Sequence, residues 1–181
     1  SVNLDGYMFV GELSLDGSLL PVKGILPISI QARKEQFKGL IVPKANALRI
    51  TGTFLDEISH DIPHQNWGVR EWDADFRHMR DIGIDTVIVI RCGYRKFLTY
   101  PSDYLMKKRG CYMPSVDLTE LYLTLADKYG MRFYFGLYDS GHYWDTGDMS
   151  WEIDDNRFVI DEVWKRYGHH KSFGGWYVST E

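Results

Sequence analysis

Acidic side chains stand directly after three of the strands that the sequence predicts. They are Asp56, Glu57, Asp139 and Glu181. Hydrolysis of a glycosidic bond needs such groups, because one carboxyl protonates the leaving oxygen and a second acts as nucleophile or base. Carboxylates can also hold sugar hydroxyls by hydrogen bonds. A structural ion pair between Glu57 and Arg91, which ends the second predicted strand, is an alternative that the sequence leaves open.

Aromatic side chains are concentrated in the loops that follow the same strands. They include Trp67, Tyr94, Tyr138, Tyr143 and Trp144. Pyranose rings pack their apolar faces on flat rings, although aromatics with a few polar groups also describe any ligand pocket. We expect Trp67 and Trp144 to contact a sugar. Trp72, Trp164 and Tyr122 recur at helical spacing instead, so core packing is predicted for these three.

Together these residues define a predicted ligand-binding set at the strand ends. The set comprises Asp56, Glu57, Trp67, Arg91, Tyr138, Asp139, His142, Trp144 and Trp176. His60 and His64 are four residues apart, but Pro63 interrupts any helix that would place both on one face. Metal ligation needs three or four converging groups. The sequence therefore predicts no metal site and no cofactor.

The elements that must position these residues alternate between strand and helix from Ile50 onward. Strands are predicted at 50–55, 86–90, 131–137 and 173–178, with a helix in each interval. Their apolar, β-branched runs are typical of a parallel sheet covered on both faces. The loops after the strands are long, at 58–70, 93–116 and 140–154. In a (β/α)8 barrel such loops build the active site, as they do in a doubly wound sheet.

The fold predicted for this part of the chain is α/β, with parallel β/α units forming the first half of a TIM-type barrel. No G-x-G-x-x-G stretch follows any strand, which disfavours a dinucleotide-binding sheet. A complete barrel takes about 250 residues, and the segment supplies strands one to four. Exposed edges of a half barrel promote association, so self-association is expected.

The first 49 residues differ from the rest of the chain. They hold three of the aromatic residues and a charge of +2 from six basic and four acidic side chains, whereas the remainder carries −6. This shift predicts two domains, 1–48 and 49–181. The first is predicted to be a small α+β fragment, with a β-hairpin over 7–22, a helix over 24–37 and a strand at 40–42.

The composition of the whole chain excludes several classes of protein. Its 181 residues are 44% hydrophobic and 15% aromatic, which excludes a disordered chain. A net charge of −4 gives no general attraction to nucleic acid or to anionic membranes. No apolar run reaches the roughly 20 residues that span a bilayer. Without a visible signal peptide a cytoplasmic location is favoured, and we expect the natural N-terminus to precede Ser1.

The first domain resembles a known family. The runs VGELSLDG at 10–17, LPVKG at 20–24 and IVPKANA at 41–47 resemble the N-terminal domain of magnesium-chelatase-like AAA+ ATPases of the bacterial competence type. That domain shares its fold with Lon proteases, which use a Ser-Lys dyad. Leu26 stands at the position of the dyad lysine, and no G-x-x-x-x-G-K-[ST] stretch occurs. The resemblance therefore implies a fragment without protease or nucleotide chemistry.

The second domain resembles a bacterial family of glycosidase-like barrels of unassigned function. The resemblance is carried by ITGTFLDE at 50–57, HQNWG at 64–68, FGLYDSG at 135–141 and GGWY at 174–177. In many retaining glycosidases with this barrel the acid/base carboxyl ends strand four, which is the place of Glu181, with Thr180 where those enzymes have Asn. Their nucleophile lies on strand seven. A solvated, structural Glu181 is the alternative.

These observations favour a carbohydrate-active, glycoside-hydrolase-like barrel fragment that is inactive as this truncated chain. Carbohydrate is the expected ligand, and no nucleic acid or membrane partner is predicted. Two alternatives stay open. One is a non-catalytic carbohydrate-binding or scaffold barrel, and the other is a fragment of a magnesium-chelatase-like ATPase that lacks its nucleotide site. Whether the intact protein is a glycoside hydrolase is left undecided by the sequence.

Overall fold

The computed structural model describes residues 5–13, 19–20, 25–43, 50–58 and 66–179. The chain divides into two compact units, Ser1–Arg49 and Ile50–Glu181. Within the described residues no helix is long and apolar enough to cross a membrane.

The described residues of the first unit form two small sheets and one helix. Its elements are β1 (Tyr7–Phe9), β2 (Glu12–Leu13), β3 (Leu19–Leu20), α1 (Ile25–Lys34) and β4 (Gly39–Ile41). β2 and β3 form an antiparallel hairpin within the predicted range 7–22, whereas β1 lies outside this hairpin and pairs with β4 in parallel. The predicted helix ends early, because Gln36 has a left-handed backbone with φ of 60°. Ala32 is the buried residue of this segment, and Ile30 and Phe37 are exposed.

The second unit repeats strand and helix. In chain order its elements are β5 (Gly52–Leu55), α2 (Val69–Asp81), β6 (Thr86–Val89), β7 (Gly93–Tyr94), β8 (Phe97–Leu98), α3 (Asp103–Arg109), α4 (Leu118–Tyr129), β9 (Arg132–Gly136), β10 (Tyr138–Asp139), α5 (His142–Thr146), α6 (Ser150–Tyr167) and β11 (Phe173–Tyr177). The main sheet has the order β5-β6-β9-β11, and every pair in it is parallel. The four predicted strands and the three helices between them are confirmed.

The main sheet is strongly curved. β5 and β11 are its opposite edges, which a flat sheet of four strands would hold about 14 Å apart. The rings of Phe54 on β5 and Tyr177 on β11 nevertheless lie only 5.3 Å apart between centroids. Four parallel strands therefore follow one another in chain order and curve toward each other. This is the arrangement of the first four β/α units of a TIM-type barrel, as predicted. Phe54 and Tyr177 lie on the concave, inner side.

The hydrophobic core lies on the convex side, between the sheet and the helices. Alternate strand residues face it, namely Leu55, Val87, Val89, Phe133 and Phe135. Trp72 and Tyr122 are buried there, as their helical spacing predicted. The prediction for Trp164 is wrong, because its side chain is 58% exposed and meets Phe173 edge to face. Val159, Val163 and Tyr167 form the buried stripe of α6, and the residue after Val163 is turned about 100° away from it.

The long loop predicted at 93–116 contains regular structure. β7 and β8 form an antiparallel hairpin, β10 pairs with β7 in parallel, and α3 follows. Arg95 takes a left-handed conformation in the hairpin turn, with φ of 54°. Such turns are usually marked by Gly, Asn or Asp, and this one is not, so no local sequence signal predicts it. The hairpin and β10 extend the barrel at the carboxyl ends of its strands.

Candidate functional site

A buried ion pair joins the ends of the second and third barrel strands. Arg91 follows β6, and its Nη1 lies 3.2 Å from Oδ2 of Asp139 in β10. The side chain of Asp139 is 1% exposed, whereas that of Arg91 is 21% exposed. The two residues are 48 positions apart in the chain but lie on neighbouring strands, because β6 and β9 pair and their extensions β7 and β10 pair as well. The carboxylate that pairs with Arg91 is thus that of Asp139.

Asp139 also fixes the loop that carries the most exposed aromatic residue of the site. Its Oδ2 accepts a hydrogen bond from Nε1 of Trp144 at 3.2 Å, and its Oδ1 accepts one from the backbone N–H of Gly141 at 2.9 Å. The indole ring of Trp144 is anchored by its edge while the residue stays 54% exposed. Gly141 has φ of 78°, which lets the chain turn sharply from β10 into α5. A flat apolar surface is therefore presented beside an ion pair at the barrel mouth.

Tyr94 and Arg95 continue the site along the β7–β8 hairpin. The guanidinium of Arg91 lies over the ring of Tyr94, 5.0 Å from its centroid. The backbone N–H of Arg95 donates to the carbonyl of Asp139 at 2.9 Å. Arg95 also reaches Asp145 at 3.3 Å in an exposed ion pair. Arg91 is therefore held by a cation–π contact with Tyr94 and by its ion pair with Asp139.

A second buried carboxylate supports the same loop, and sequence reasoning missed it. Glu152, in the first turn of α6, accepts a hydrogen bond from the hydroxyl of Ser140, which in turn accepts one from the backbone N–H of His142. Asn156, one turn later, accepts from the backbone N–H of Tyr138 at 2.8 Å and donates to its carbonyl at 2.9 Å. Polar residues at the start of an amphipathic helix look solvated in a sequence, and only the fold reveals that they are buried.

Tyr138, a member of the predicted ligand-binding set, is buried in the structure. Its ring is packed in the core over Gly93, where a Cβ atom would lie 2.7 Å from the ring. Its hydroxyl donates to the carbonyl of Arg95 at 2.6 Å, and burial raises the pKa of that hydroxyl. With no exposed face, Tyr138 cannot stack on a sugar.

The other members of the predicted set have different surroundings. Trp176 is half-buried and meets Phe135 edge to face at 5.7 Å, so it belongs to the flank of the core. His142 stacks on Trp151 at 4.2 Å, with its Nε2 3.4 Å from Asp148. Of the predicted set, the structure brings Arg91, Asp139 and Trp144 together in direct contact around the ion pair.

The end of the first barrel strand forms a separate part of the mouth. Oδ1 of Asp56 accepts a hydrogen bond from the backbone N–H of Ile58 at 3.2 Å, which shapes the strand end. Glu57 is 7% exposed and lines a cavity together with Trp67. Trp67 is half-buried and meets the core residue Trp72 edge to face at 5.0 Å. The candidates Glu181, His60 and His64 lie outside the described residues.

Neither a metal site nor a reactive thiol is formed by the part of the chain that the structure describes. No group of three or more His, Cys, Asp and Glu side chains is placed there to hold a metal ion. Cys92 and Cys111 are free and buried. Burial raises the pKa of both thiols, which keeps them protonated and unreactive.

Comparison with known proteins gives different relatives for the two units. Residues 1–46 match the family described as subunit ChlI of Mg-chelatase. Uncharacterized proteins of Mycobacterium bovis (strain ATCC BAA-935 / AF2122/97) and of Mycobacterium tuberculosis (strains CDC 1551 / Oshkosh and ATCC 25618 / H37Rv) are 40% identical to the chain over 43 residues. This similarity covers 24% of the chain and only 8% of each relative.

A solved structure is similar to a much larger part of the chain. It is the crystal structure of a proposed alpha-L-fucosidase from Bacteroides thetaiotaomicron VPI-5482, with 77% sequence identity and a TM-score of 0.72. The match covers 77% of this chain and 44% of that protein, so the chain spans less than half of its length. Residues 50–181 match a single family. Because that match takes in well over half of the chain, the protein belongs to the family described as Domain of unknown function (DUF4434).

Proposed function

We propose that the barrel unit is the carbohydrate-binding half of a glycoside-hydrolase-like protein, and that a sugar ring stacks on Trp144 beside Arg91 and Asp139. The observation that carries this proposal is the anchoring of an exposed indole to a buried carboxylate at the strand ends. An aromatic platform with fixed polar groups around it is a suitable site for a pyranose. The similar protein that is a proposed alpha-L-fucosidase makes L-fucose the first sugar to test.

The geometry of Asp139 favours binding over catalysis by this residue. Its two oxygens accept hydrogen bonds from Arg91, Gly141 and Trp144. These contacts occupy both oxygens, and through them the carboxylate holds Arg91 and the loop of Trp144 in place. We therefore assign Asp139 a positioning role, and Glu181 is the candidate general acid that the family resemblance implies.

We also expect this chain to bind sugar without hydrolysing it. Glycoside hydrolysis takes two carboxyl groups on opposite sides of the scissile bond. In the resembling enzymes the second one lies on strand seven, and the main sheet formed by the described residues has strands one to four. A non-catalytic binding barrel is the second candidate function, and the occupied oxygens of Asp139 are the observation that favours it.

The experiment is a binding titration with a matched pair of variants. The full chain is titrated with L-fucose and a panel of other monosaccharides, followed by ligand-observed NMR. Trp144→Ala is compared with Trp164→Ala, an equally exposed tryptophan on α6 whose described ring contact is with Phe173. Saturable binding that is lost in Trp144→Ala and kept in Trp164→Ala supports the proposal. Absence of saturable binding to every sugar, or equal loss in both variants, contradicts it.

Release of 4-nitrophenol from 4-nitrophenyl glycosides tests the catalytic part separately. We expect no turnover by the chain and unchanged sugar affinity in Glu181→Gln. Hydrolysis that disappears in Glu181→Gln would show that the chain is catalytic as it stands, and would overturn the assignment of a purely binding half.

A further inference from the structure

A large cavity adjoins the site on the side of the first barrel strand. Its volume is about 740 Å³, within the range of small-molecule sites. The described residues around it come from the end of β5, from the entry to α2, and from the segments on either side of α3. Its walls include Trp67, Phe97, Tyr112, Met113 and Val116, together with polar residues such as Glu57, Asn66 and Ser115.

Four apolar side chains that line this cavity remain exposed to solvent. Phe97, Tyr112, Met113 and Val116 are each between 48% and 65% exposed. The rings of Phe97 and Tyr112 meet edge to face at 5.5 Å, so they form one continuous surface. Apolar side chains that are grouped and exposed on a folded domain mark a surface that binds something.

The loop that carries these side chains is held in place by the fold. The backbone N–H of Tyr112 donates to the carbonyl of Lys96 at 2.8 Å, which ties the far end of the loop to the β7–β8 hairpin. The buried hydroxyl of Thr99 donates to the carbonyl of Cys92 at 3.0 Å and lies 3.1 Å from the hydroxyl of Thr119. A preformed wall loses little entropy when a ligand binds.

The cavity and the proposed sugar site share a wall. Tyr94 and Phe97 are direct partners across the β7–β8 hairpin. Tyr94 contacts Arg91 of the sugar site, and Phe97 lines the cavity. Partners across an antiparallel pair have Cβ atoms about 5 Å apart, so a ligand seated on one can extend to the other.

We propose that this cavity binds a flat, apolar group attached to the sugar, such as the aromatic aglycone of a glycoside. This inference rests on the proposed function for the attached sugar, although the cavity itself can be tested alone. Three aromatic rings and a methionine provide the stacking surface for such a group. Polar side chains of the same lining, Asn66 and Ser115, are suited to a hydroxyl substituent on it.

The cavity is tested with free aromatic compounds, so that the result does not depend on the sugar. The full chain is titrated with 4-methylphenol and with its saturated, non-planar counterpart 4-methylcyclohexanol by ligand-observed NMR. We expect 4-methylphenol to bind at least about twofold more tightly, because contact between aromatic rings contributes about 0.5 kcal/mol or more beyond the buried area. The double variant Tyr112→Ser/Met113→Ser should weaken 4-methylphenol by at least about fivefold through lost apolar contact.

Ile153→Ser is the matched control, because Ile153 is a similarly exposed apolar residue on α6 that does not line the cavity. It should change the affinity for 4-methylphenol by less than about twofold, as an exposed residue away from a site does. Circular dichroism confirms that the variants fold. No binding of 4-methylphenol by the wild type, equal or tighter binding of 4-methylcyclohexanol, or the same loss in Ile153→Ser as in the double variant would overturn the proposal.

A second comparison separates this inference from the proposed function. If a monosaccharide binds at Trp144, its phenyl glycoside should bind at least about tenfold more tightly than its methyl glycoside, and the double variant should remove the difference. Binding of 4-methylphenol without binding of any sugar would support the cavity and contradict the sugar site. Sugar binding without any preference for the phenyl glycoside would support the sugar site and contradict the cavity's role.

Discussion

Replacing Asp139 by Asn tests the central interaction of the barrel mouth. Asparagine has nearly the same shape but carries an NH2 group in place of one oxygen. Oδ2 of Asp139 accepts from Arg91 and Trp144, and Oδ1 accepts from Gly141. Whichever way the amide is turned, at least one of these donors then faces another donor. The substitution therefore removes the charge and also leaves a buried N–H unsatisfied.

The size of the effect follows from the burial of the pair. Removing one partner of a buried ion pair costs about 3–5 kcal/mol. The side chain of Arg91 is 21% exposed, so water solvates part of its charge once the carboxylate is gone. We expect the lower end, about 3 kcal/mol, which lowers the urea midpoint by about 1.5 M for an m-value of about 2 kcal/mol/M.

Tryptophan fluorescence during urea unfolding is the assay. All six tryptophans lie in residues 50–181, so the signal reports the barrel unit of the full chain. Asp145→Asn is the matched control, because Asp145 forms an exposed ion pair with Arg95 in the same loop region. Exposed pairs contribute little, and the midpoint of this control should hardly move.

A double-mutant cycle with Arg91→Met completes the test. Each single variant leaves a buried charge without its partner, whereas the double variant leaves neither. The loss in the double variant should therefore be clearly smaller than the sum of the two single losses. The reasoning is refuted if Asp139→Asn has the same midpoint as Asp145→Asn, or if the two losses in the cycle simply add.

Three further predictions concern the rest of the protein. Gly136→Ala should prevent folding of the barrel unit, because the added Cβ would overlap the backbone carbonyl of Val89 on β6. We expect the variant to lose the cooperative urea transition. A midpoint like that of the wild type would contradict this prediction. Burial tends to raise the pKa of Asp127, but hydrogen bonds from His170 and the Ser172 backbone outweigh it, and the pKa is lowered. The resulting stabilisation is complete above the unfolded value of about 3.9 and is lost as the pH falls through the lower folded value. Between about pH 4 and pH 2, urea midpoints should thus fall less steeply in Asp127→Asn than in the wild type, and equal slopes would contradict this. Finally, β5 and β11 each have one neighbour among the described strands, so we expect the chain to self-associate; a stable monomer by light scattering would count against it.

Several features of the barrel unit could be predicted because their signals are local. The β-branched run before Arg91 and the aromatic run before Tyr138 show burial and strand propensity within a few residues. The start of α4 also has a local signal, because Asp117 stands three residues before Glu120 and its side chain accepts a hydrogen bond from the backbone N–H of Glu120 at 3.0 Å. Parallel order then follows, because strands joined by helices have few other arrangements.

Other features depend on groups that are distant in the sequence. Tyr138 and Asp139 are adjacent and both follow a strand, yet one enters the core while the other holds the loop of Trp144. Trp164 has helical spacing like Trp72, but the rotation of α6 leaves it exposed. A side chain at a strand end or on a helix is buried only if another element of the fold covers it. That element is distant in the sequence, so a short window of sequence does not reveal it.

The amino-acid sequence alone predicts carboxylates and aromatics at the carboxyl ends of parallel strands, because neighbouring residues specify the strand and helix periodicities. It could not determine which carboxylate would pair with Arg91. That choice was made by the tertiary structure, since β7 and β10 pair in a register that places Tyr94 beside Asp139. The ion pair is stable where two buried strand extensions run side by side, and only the folded sheet brings them together.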